Sequence, residues 1–368
     1  MIHNEMRKHG IKLVLGYTVE GFKEKDNGVE VLLKDNPSLQ ADMVVLAIGV
    51  TPDTVLAKEA SLELGIKESI VVNDRMETSV PDIYAAGDAV QVKHYVTGND
   101  ALISLAGPAN KQGRIIADNI CGGDSRYLGS QGSSVIKVFD MTAATTGINE
   151  TNAKKSGLEV DTVILSPMSH AGYYPGGKVM TMKVIFEKES YRLLGTQIIG
   201  YEGVDKRIDV LATAIHAGLN ATQLKDLDLA YAPPYSSAKD PVNMAGFMID
   251  NIAKGTLKQW HLEDMDKISK DKDVVLLDVR TVGEFSRGHI DGFKNIPVDE
   301  LRERISEIEK GKPVYLICQS GLRSYIASRI LEGNGYETYN FSGGFRFYDA
   351  VVNDRALIER AYACGMDY

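Results

Sequence analysis

The chain has 368 residues, enough for two or three domains with full cores, and its net charge of -9 without a long basic run argues against a nucleic-acid partner. No apolar stretch approaches the roughly 18 residues that span a bilayer, and residues 1–8 lack the apolar core of a signal peptide, so no membrane partner is expected. The three cysteines, Cys121, Cys318 and Cys364, are too few for a disulfide framework and fit a reducing cytoplasm.

The first 126 residues are predicted to alternate between strands and helices, as nucleotide-binding domains do. The predicted elements are a helix ending near residue 9, strands over 11–15, 28–33, 41–49 and 83–86, and a helix over 109–121 that begins beside Pro108. Gly87 would let a ligand approach the backbone closely, and Asp88 would place a carboxylate at a strand end. No G-x-G-x-x-G turn precedes the 41–49 strand, although such domains normally open with one.

The middle of the chain is predicted to be rich in strands. Strands dominate residues 135–184, a return strand covers 193–199, and helices cover 206–217 and 242–253. Residues 255–262 then form a linker. Beyond it the pattern predicts a small α/β domain. Its predicted strands are 274–279, a short one at Ile296, 314–317 and 338–341, and its predicted helices are 298–309 and 324–332.

Cys318 lies between the predicted strand 314–317 and the helix that follows. Backbone N–H groups and the helix dipole at such a position favour an anion, and therefore the nucleophilic thiolate. The alternative is a buried structural cysteine, but the nearby Gly321 and Arg323 favour the reactive interpretation. Cys121 and Cys364 have no glycine-rich or basic loop around them and are predicted to be ordinary cysteines.

The last domain, about 110 residues long, resembles a rhodanese-like sulfurtransferase domain. The matching residues are 277–280, Glu284-Phe285, Gly288-His289-Ile290, Asn295-Ile296-Pro297, 318–324 and Gly343-Gly344. The resemblance implies that Cys318 attacks a sulfane sulfur and holds it as a persulfide. The N–H groups of the substrate-binding loop would surround that sulfur, and Arg323 would shape the loop and supply positive charge. The loop residues in question are Gln319, Ser320, Gly321 and Leu322.

Four residues separate Cys318 from Arg323, whereas related phosphatases have a longer loop there, so the spacing favours a single sulfur over a phosphate. Gln319 stands where many family members have a basic residue, which leaves both thiosulfate and a less charged persulfide open as donors. Asp278 and Arg280 are either a catalytic acid with an anion binder or a structural pair. His289 is either a general base or a structural residue of its turn.

The first 255 residues resemble the C-terminal part of a flavin disulfide reductase, in the group of coenzyme A-disulfide reductases, NADH oxidases and persulfide reductases. The matching segments are 46–52, 78–89, 105–110, 170–176, 204–209 and 231–241. The resemblance implies that Asp88, beside Gly87, hydrogen-bonds the ribityl chain of FAD. The helix that begins at Pro108 and Ala109 would face the flavin ring. Gly49 would let the backbone approach NAD(P)H.

The same resemblance makes residues from about 127 to 255 a dimerisation domain and the protein a homodimer. Tyr173 and Tyr231 would donate from the partner subunit to a thiolate or disulfide sulfur, or else be interface aromatics without a chemical role. Lys206 and Arg207 would bind phosphates of coenzyme A, or else form a solvated helix start.

The predicted fold class is α/β and α+β in several domains. The expected divisions are part of an NAD(P)-binding domain (1–66), the C-terminal part of an FAD-binding domain (67–126), an α+β dimerisation domain (127–258) and an α/β rhodanese domain (259–368). The glycine-rich turns and the redox cysteine of the family are not in this sequence. We therefore expect Met1 to be an internal start, and we expect weak or no FAD retention.

The leading hypothesis is an FAD- and NAD(P)H-dependent reductase of coenzyme A disulfide or persulfide, fused to a rhodanese domain that uses Cys318. The alternative is a dimeric scaffold with a persulfide-binding rhodanese module and no redox turnover. The sequence leaves open the electron acceptor, the sulfur donor, and the choice between NADH and NADPH.

Overall fold

The computed structural model describes residues 1–364, with side chains described through residue 357. It divides into two compact units. The first comprises residues 3–92, 100–127 and the chain from 353, and the second comprises 1–2, 93–99 and 128–352. Within the described part, no helix has both the length and the apolarity needed to cross a membrane. The side chain of Cys364, predicted to be ordinary, lies outside the described residues.

Most of the secondary structure is formed by short elements. Up to residue 127, in chain order, these are α1 (Ile2–Lys8), β1 (Val19–Lys25), β2 (Gly28–Leu33), β3 (Leu39–Ala41), α2 (Val55–Glu59), β4 (Ile70–Val71), β5 (Val90–Lys93), β6 (Asp100–Ala101) and α3 (Ala106–Ile120). Beyond it they are β7 (Ser134–Val138), β8 (Met141–Gly147), α4 (Glu150–Lys155), β9 (Val160–Leu165), β10 (Thr181–Glu187), β11 (Leu193–Gly200), α5 (Val204–His216), α6 (Pro241–Ala253), β12 (Gln259–Trp260), α7 (Met265–Ile268), β13 (Val275–Asp278), α8 (Val282–Ser286), β14 (Lys294–Asn295), β15 (Val314–Ile317), α9 (Leu322–Glu332), β16 (Thr338–Phe341) and α10 (Gly344–Cys364).

The first unit contains two three-stranded sheets, β1-β2-β3 and β4-β5-β6. The predicted N-terminal helix and the predicted strand 28–33 are confirmed as α1 and β2. Strand β1, which the sequence analysis missed, pairs with β2 through a tight turn at residues 26–27. The predicted helix 109–121 is confirmed as α3, which begins earlier, at Ala106.

Three predicted strands of this unit are wrong. Residues 11–15 and 42–49 form no strand, and residues 83–86 make only an isolated bridge between Tyr84 and Glu77. The run 42–49 is exposed rather than buried, with Ile48 at 90% exposure. An apolar run becomes a buried strand only where neighbouring strands satisfy its backbone hydrogen bonds, and the described residues offer this run no such neighbours.

The second unit begins with an antiparallel sheet in the order β7-β8-β11-β10-β9. Its predicted strands are confirmed, and so are the helices predicted at 206–217 and 242–253, which are α5 and α6. Met182 and Leu194 of the sheet are fully buried in one cluster with Leu211 of α5 and Ala245 of α6. This α+β core positions α6 beside the next domain.

The rest of the second unit is a parallel sheet in the order β12-β16-β15-β13-β14. The strands predicted at 314–317 and 338–341 are confirmed with the predicted bounds, and α9 packs on them through Ala327 and Leu331. Because parallel strands end at the same edge, the residues after β13 and β15 lie close together.

The helix predicted over 298–309 is wrong, because these residues form successive turns and a 3-10 helix at Ile305–Glu307. Val298, Leu301 and Ile308 are buried. These apolar residues recur at intervals close to multiples of three. Such intervals suit three-residue hydrogen-bonded turns as well as an α-helix, so the apolar periodicity did not distinguish the turns from a helix. Helix α10 was not predicted.

Hydrogen bonds join the antiparallel and parallel parts of the second unit. Asp161 of β9 accepts from Gln259 Nε2 at 3.1 Å, and its Oδ1 lies 3.0 Å from His261 Nε2. Burial raises the pKa of Asp161, but these hydrogen bonds, that of His261 foremost, outweigh it and lower the pKa below its ordinary value. Ser342 Oγ accepts from the backbone N–H of Ile164 at 3.0 Å.

Candidate active site

The Cys318 loop (residues 318–323) connects β15 to α9 at the carboxyl edge of the parallel sheet. Gly321 caps α9 with a φ of 99°, a left-handed conformation that glycine adopts without strain. Cys318 is fully buried. The sequence thus places a thiol beneath the N-terminus of a helix, with a glycine making the tight turn between them.

The Sγ atom of Cys318 accepts two hydrogen bonds. Gly321 N donates to it at 3.1 Å, and Ser324 Oγ donates at 3.2 Å. The backbone N–H groups of Ser320, Leu322 and Arg323 have no acceptor among the described residues. Converging N–H groups of this kind bind an anion, so the loop can stabilise a second, negatively charged sulfur bonded to Sγ.

The N-terminus of α10 fixes the shape of the loop. Phe345 N donates to Cys318 O at 2.8 Å, and Arg346 N donates to Gln319 O at 3.1 Å. A Cβ on Gly344 would lie 2.7 Å from Ser320 N and 2.8 Å from Cys318 O, so only glycine permits this approach. Gly344 is one of the residues that carry the rhodanese resemblance, but the sequence alone did not predict this contact.

Arg323 forms a two-point ion pair with Glu284. Arg323 Nη1 and Nη2 each donate to a Glu284 carboxylate oxygen at 2.7 Å. These bonds lower the pKa of Glu284 to about 2 and raise the pKa of Arg323. The positive charge of Arg323 is therefore paired within the protein, which supports a role for Arg323 in shaping the loop.

The contacts of Asp278, Arg280 and His289 favour their structural interpretations. Arg280 is buried and donates through Nε to Asp278 at 2.9 Å and through Nη2 to Gly288 O at 2.8 Å. The ring of His289 stacks on Phe285, and its Nδ1 lies 3.1 Å from the Phe285 carbonyl oxygen. These groups are occupied in supporting the strand end and the turn beside the loop.

Tyr173 and Tyr231, 58 residues apart in sequence, lie together with a distance of 2.9 Å between their hydroxyl oxygens. Both are exposed. The hydrogen bond with Tyr173, followed by desolvation, raises the pKa of Tyr231. The structure therefore brings these two predicted site residues into one pair of phenols on the surface of the second unit.

Lys206 and Arg207 have different surroundings although they are neighbours in α5. Arg207 is 1% exposed, and its Nη2 donates to Asp240 at 2.9 Å and to Ser236 Oγ and Ser169 O at 3.0 Å each. The Arg207 guanidinium is held in the core and does not face solvent, so phosphate binding is no longer proposed for Arg207. Lys206 is partly exposed and stays a candidate.

Gly87 and Asp88 lie in a 3-10 turn beside the start of α3. Gly87 N donates to Gln112 Oε1 at 2.7 Å, and a Cβ on Gly87 would lie 3.8 Å from that of Ala109. The first turn of α3, which includes Pro108 and Ala109, has no side-chain cap. The turn and the helix start therefore present a carboxylate and an uncapped helix N-terminus side by side.

Three family matches cover most of the chain. Residues 1–113 match the pyridine nucleotide-disulphide oxidoreductase family, residues 133–241 its dimerisation domain, and residues 261–350 the rhodanese-like domain. The chain belongs to the pyridine nucleotide-disulphide oxidoreductase family. It also contains a rhodanese-like domain, which includes the Cys318 loop. The predicted resemblance and the mixed α/β fold class are thereby confirmed.

Relatives from this oxidoreductase family support the same assignment. The chain is 36% identical to an NAD(P)H sulfur oxidoreductase (CoA-dependent) of Pyrococcus abyssi over 66% of the chain and 54% of that protein. It is 34% identical to a coenzyme A disulfide reductase of Staphylococcus aureus over 67% of the chain and 55% of that protein. The chain thus spans about half the length of these relatives.

Two solved structures of oxidoreductases are similar along nearly the whole chain. Reduced Bacillus anthracis CoADR-RHD is 46% identical with a TM-score of 0.92, over 96% of this chain and 63% of that one. A NAD-dependent persulfide reductase from A. fulgidus is 40% identical with a TM-score of 0.85, over 94% of this chain and 63% of that one.

The oxidoreductase family uses FAD and NAD(P)H, and the residues in the first unit fit part of an FAD site. The Asp88 carboxylate can accept from hydroxyl groups, and the uncapped start of α3 suits the electron-rich edge of a flavin. Gly49, with a φ of 90°, lies in the exposed 42–49 run, where a ligand can reach its backbone.

Proposed function

We propose that Cys318 transfers sulfane sulfur in a protein whose other domains serve reduction of coenzyme A disulfide or persulfide by NAD(P)H and FAD. The observation that supports this most directly is the buried Sγ with two hydrogen-bond donors inside a loop of unoccupied N–H groups. The relatives are named as sulfur, persulfide or coenzyme A disulfide reductases, which favours this function over a scaffold without turnover.

The transfer requires two displacements at sulfur. The thiolate of Cys318 attacks the outer sulfur of a donor R–S–S⁻, a bond forms to Sγ, and the donor S–S bond breaks. R–S⁻ leaves, and Cys318–S–S⁻ remains with its outer sulfur facing the loop N–H groups. A nucleophilic acceptor then takes that sulfur and restores the thiolate, so cyanide as the acceptor gives thiocyanate.

The first unit would contribute the cofactor-binding groups of the proposed reductase part. Asp88, Gly87 and the helix start at Pro108 and Ala109 would bind FAD, and Gly49 would let the backbone approach NAD(P)H. When bound, FAD supplies hydride and electron transfer between the nicotinamide and sulfur.

The second unit would contribute the thiol-facing groups. Tyr173 and Tyr231 would donate to sulfur from the partner subunit of a homodimer, and Lys206 would contact a coenzyme A phosphate. The match to a dimerisation domain supports a homodimer, and the two free described cysteines support a reducing cytoplasm. Tethering the two parts raises the effective concentration of the shared persulfide.

Thiocyanate formation from glutathione persulfide or thiosulfate and cyanide tests the central claim. Cys318→Ala should lower the enzymatic rate to the background of the uncatalysed reaction, because it removes the nucleophile. Cys121→Ala, which changes an exposed cysteine outside the loop, is the matched control and should keep the wild-type rate. Equal rates in wild type and Cys318→Ala would rule out sulfur transfer and favour the scaffold alternative.

A further inference from the structure

A pocket of about 410 Å³ lies between α8, the Cys318 loop and the start of α10, within the second unit. Its volume is in the range of small-molecule sites. Arg287 lines it just after α8, Gln319 lines it from the loop, and Arg346 lines it from the first turn of α10. Because Gln319 directly follows Cys318, a group bound here lies beside the loop that contains the reactive sulfur.

Two of the charged groups in the pocket wall are paired with residues outside it. Arg280 donates through Nε to the carboxylate of Asp278 at 2.9 Å. Both carboxylate oxygens of Glu284 accept from Arg323 at 2.7 Å. Asp278 and Arg323 are not among the residues that line the pocket. The charges of Arg280 and Glu284 are therefore compensated from outside the pocket, and neither decides the sign of a ligand.

The other three charged side chains of the wall are Arg287, Arg346 and Asp349, and all three are exposed. Among the described residues, no ion pair joins the guanidinium of Arg287 or of Arg346 to a carboxylate. Two cations and one anion leave the wall with a net positive charge. Because a guanidinium binds a carboxylate through two parallel N–H donors, the wall fits a ligand with one carboxylate group.

The backbone of Arg346 is fixed against the loop. Its N–H donates to Gln319 O at 3.1 Å, and the N–H of Phe345 donates to Cys318 O at 2.8 Å. The centre of the Phe345 ring lies 3.8 Å from the guanidinium carbon of the buried Arg280, which stabilises the same turn. A carboxylate bound by Arg346 would therefore be held close to the Cys318 loop.

We propose that this pocket binds the carboxylate of an anionic thiol that accepts sulfur from the Cys318 persulfide. The inference rests on the proposed function of Cys318 and adds the chemical class of its acceptor. The carboxylate pairs with Arg287 and Arg346, and the side chain of Gln319 lies beside it. The thiol end of the same molecule extends to the loop.

The acceptor step needs no further reactant. The acceptor thiolate attacks the outer sulfur of Cys318–S–S⁻, a bond forms between these two sulfurs, and the bond from the outer sulfur to Sγ breaks. The electron pair of that bond stays on Sγ, so Cys318 is again a thiolate and the acceptor leaves as R–S–S⁻. Binding of the carboxylate holds the thiolate near the outer sulfur and so lowers the entropy cost of their encounter.

Two thiols of the same chain length test the proposal. 3-Mercaptopropionate has a carboxylate, whereas 3-mercaptopropionamide is neutral and has nearly the same shape. Cys318 is loaded from glutathione persulfide, the excess donor is removed by gel filtration, and the persulfide left after addition of a thiol is measured as thiocyanate on cyanolysis. Rates are corrected for thiolate concentration and for the reaction of each thiol with free glutathione persulfide. We expect roughly tenfold faster transfer to the carboxylate thiol, through a lower half-saturating concentration.

Arg287 and Arg346 are suitable for substitution because both are exposed, so their replacement is compatible with folding. Arg287→Gln and Arg346→Gln should each lower the advantage of the carboxylate thiol several-fold. Arg302→Gln is the matched control, because Arg302 is an exposed arginine of the same domain that does not line the pocket. It makes the net charge of -9 more negative by one unit, as the other two variants do, and should keep the advantage.

The outcomes separate the pocket from the reaction. Transfer from the Cys318 persulfide to both thiols at equal corrected rates would overturn the pocket proposal and leave the proposed function standing. A loss of the advantage in Arg302→Gln as large as in Arg287→Gln would do the same, because the preference would then come from the overall charge. A wild-type protein that takes up no more sulfur than Cys318→Ala would overturn both.

Discussion

The Cys318 loop and the Tyr173–Tyr231 pair differ in how completely their surroundings are supplied by neighbouring residues. The sulfur of Cys318 is buried, receives hydrogen bonds from Gly321 and Ser324, and lies in a loop fixed by α10. The two tyrosines are exposed, and their hydroxyl groups hydrogen-bond to each other.

This difference follows from the two architectures. A parallel sheet brings strand ends and helix starts to one edge, so a single domain of about 100 residues surrounds its nucleophile. The phenols lie on loops of an antiparallel α+β domain whose family match is to dimerisation, and they act, in the proposed function, on a thiol outside their own domain. Substitutions at the contacts of the loop therefore test whether the loop depends only on its own domain.

Gly344→Ala should have the largest effect. The new Cβ would lie within 2.8 Å of three backbone atoms of residues 318–320, at a φ of 65° that alanine adopts poorly. We expect sulfur transfer to fall by roughly a hundredfold, measured as thiocyanate formation. Gly283→Ala is the control, because a Cβ there meets nothing within 4 Å and should leave the rate unchanged. Wild-type activity in Gly344→Ala would show that the loop tolerates a shift of α10.

Ser324→Ala removes the hydroxyl that donates to Sγ while leaving Gly321 N in place. We expect a loss of about tenfold in kcat, because one of two donors to the sulfur is lost. Ser328→Ala, one helical turn further along α9 with its hydroxyl bonded to Tyr325 O, is the matched control. Equal losses in both variants would indicate a general effect on α9 and not an effect on the sulfur.

Glu284→Gln breaks the two-point pair with Arg323. We expect sulfur transfer to fall several-fold and the free energy of unfolding at neutral pH to fall by about 1 kcal/mol. Since the pKa of Glu284 is about 2 against an ordinary 4.5, its stabilisation is complete above pH 4.5 and is lost as the pH falls towards 2. Urea unfolding across that pH range should show wild type and variant converging.

Glu307→Gln is the control for Glu284. The pKa of Glu307 is also lowered to about 2, chiefly by Arg304, in a pair away from the Cys318 loop. Its substitution should therefore alter stability in the same pH range without altering sulfur transfer. A loss of transfer in Glu307→Gln as large as in Glu284→Gln would contradict a local role for Glu284.

Tyr173→Phe should have the smallest effect. The hydrogen bond from Tyr173 raises the pKa of Tyr231, so the variant should lower that pKa towards its ordinary value of 10. Ring signals of Tyr231 followed by NMR across alkaline pH measure it. Stability should change little because both phenols are exposed. An unchanged Tyr231 titration would show that the pair does not persist in solution.

Much of the rhodanese-like domain was predictable because its signals are local. Strands 314–317 and 338–341 are short apolar runs bounded by turns, and the cysteine at the strand end predicted the loop. The roles of Gly344 and Glu284 were not predictable, since each contacts the loop from a distant part of the sequence.

The failures in the first unit have a different cause. The run 42–49 has the apolar composition of a buried parallel strand. A segment of that composition forms a strand only where neighbouring strands pair with it. Among the described residues it has none, so it lies exposed. Helix prediction succeeded at α3, α5 and α6 because helical hydrogen bonds are made within the segment itself.

Oxidants and bulky thiol reagents should react with Cys121 and Cys318 at different rates. Cys121 is exposed at the end of α3, whereas Cys318 has no exposed surface. A polymer-linked maleimide should therefore label Cys121 first and spare Cys318. The same enclosure would shield a persulfide on Cys318 from large thiols and dissolved oxidants, so that the sulfur leaves only to an acceptor slender enough to enter the loop.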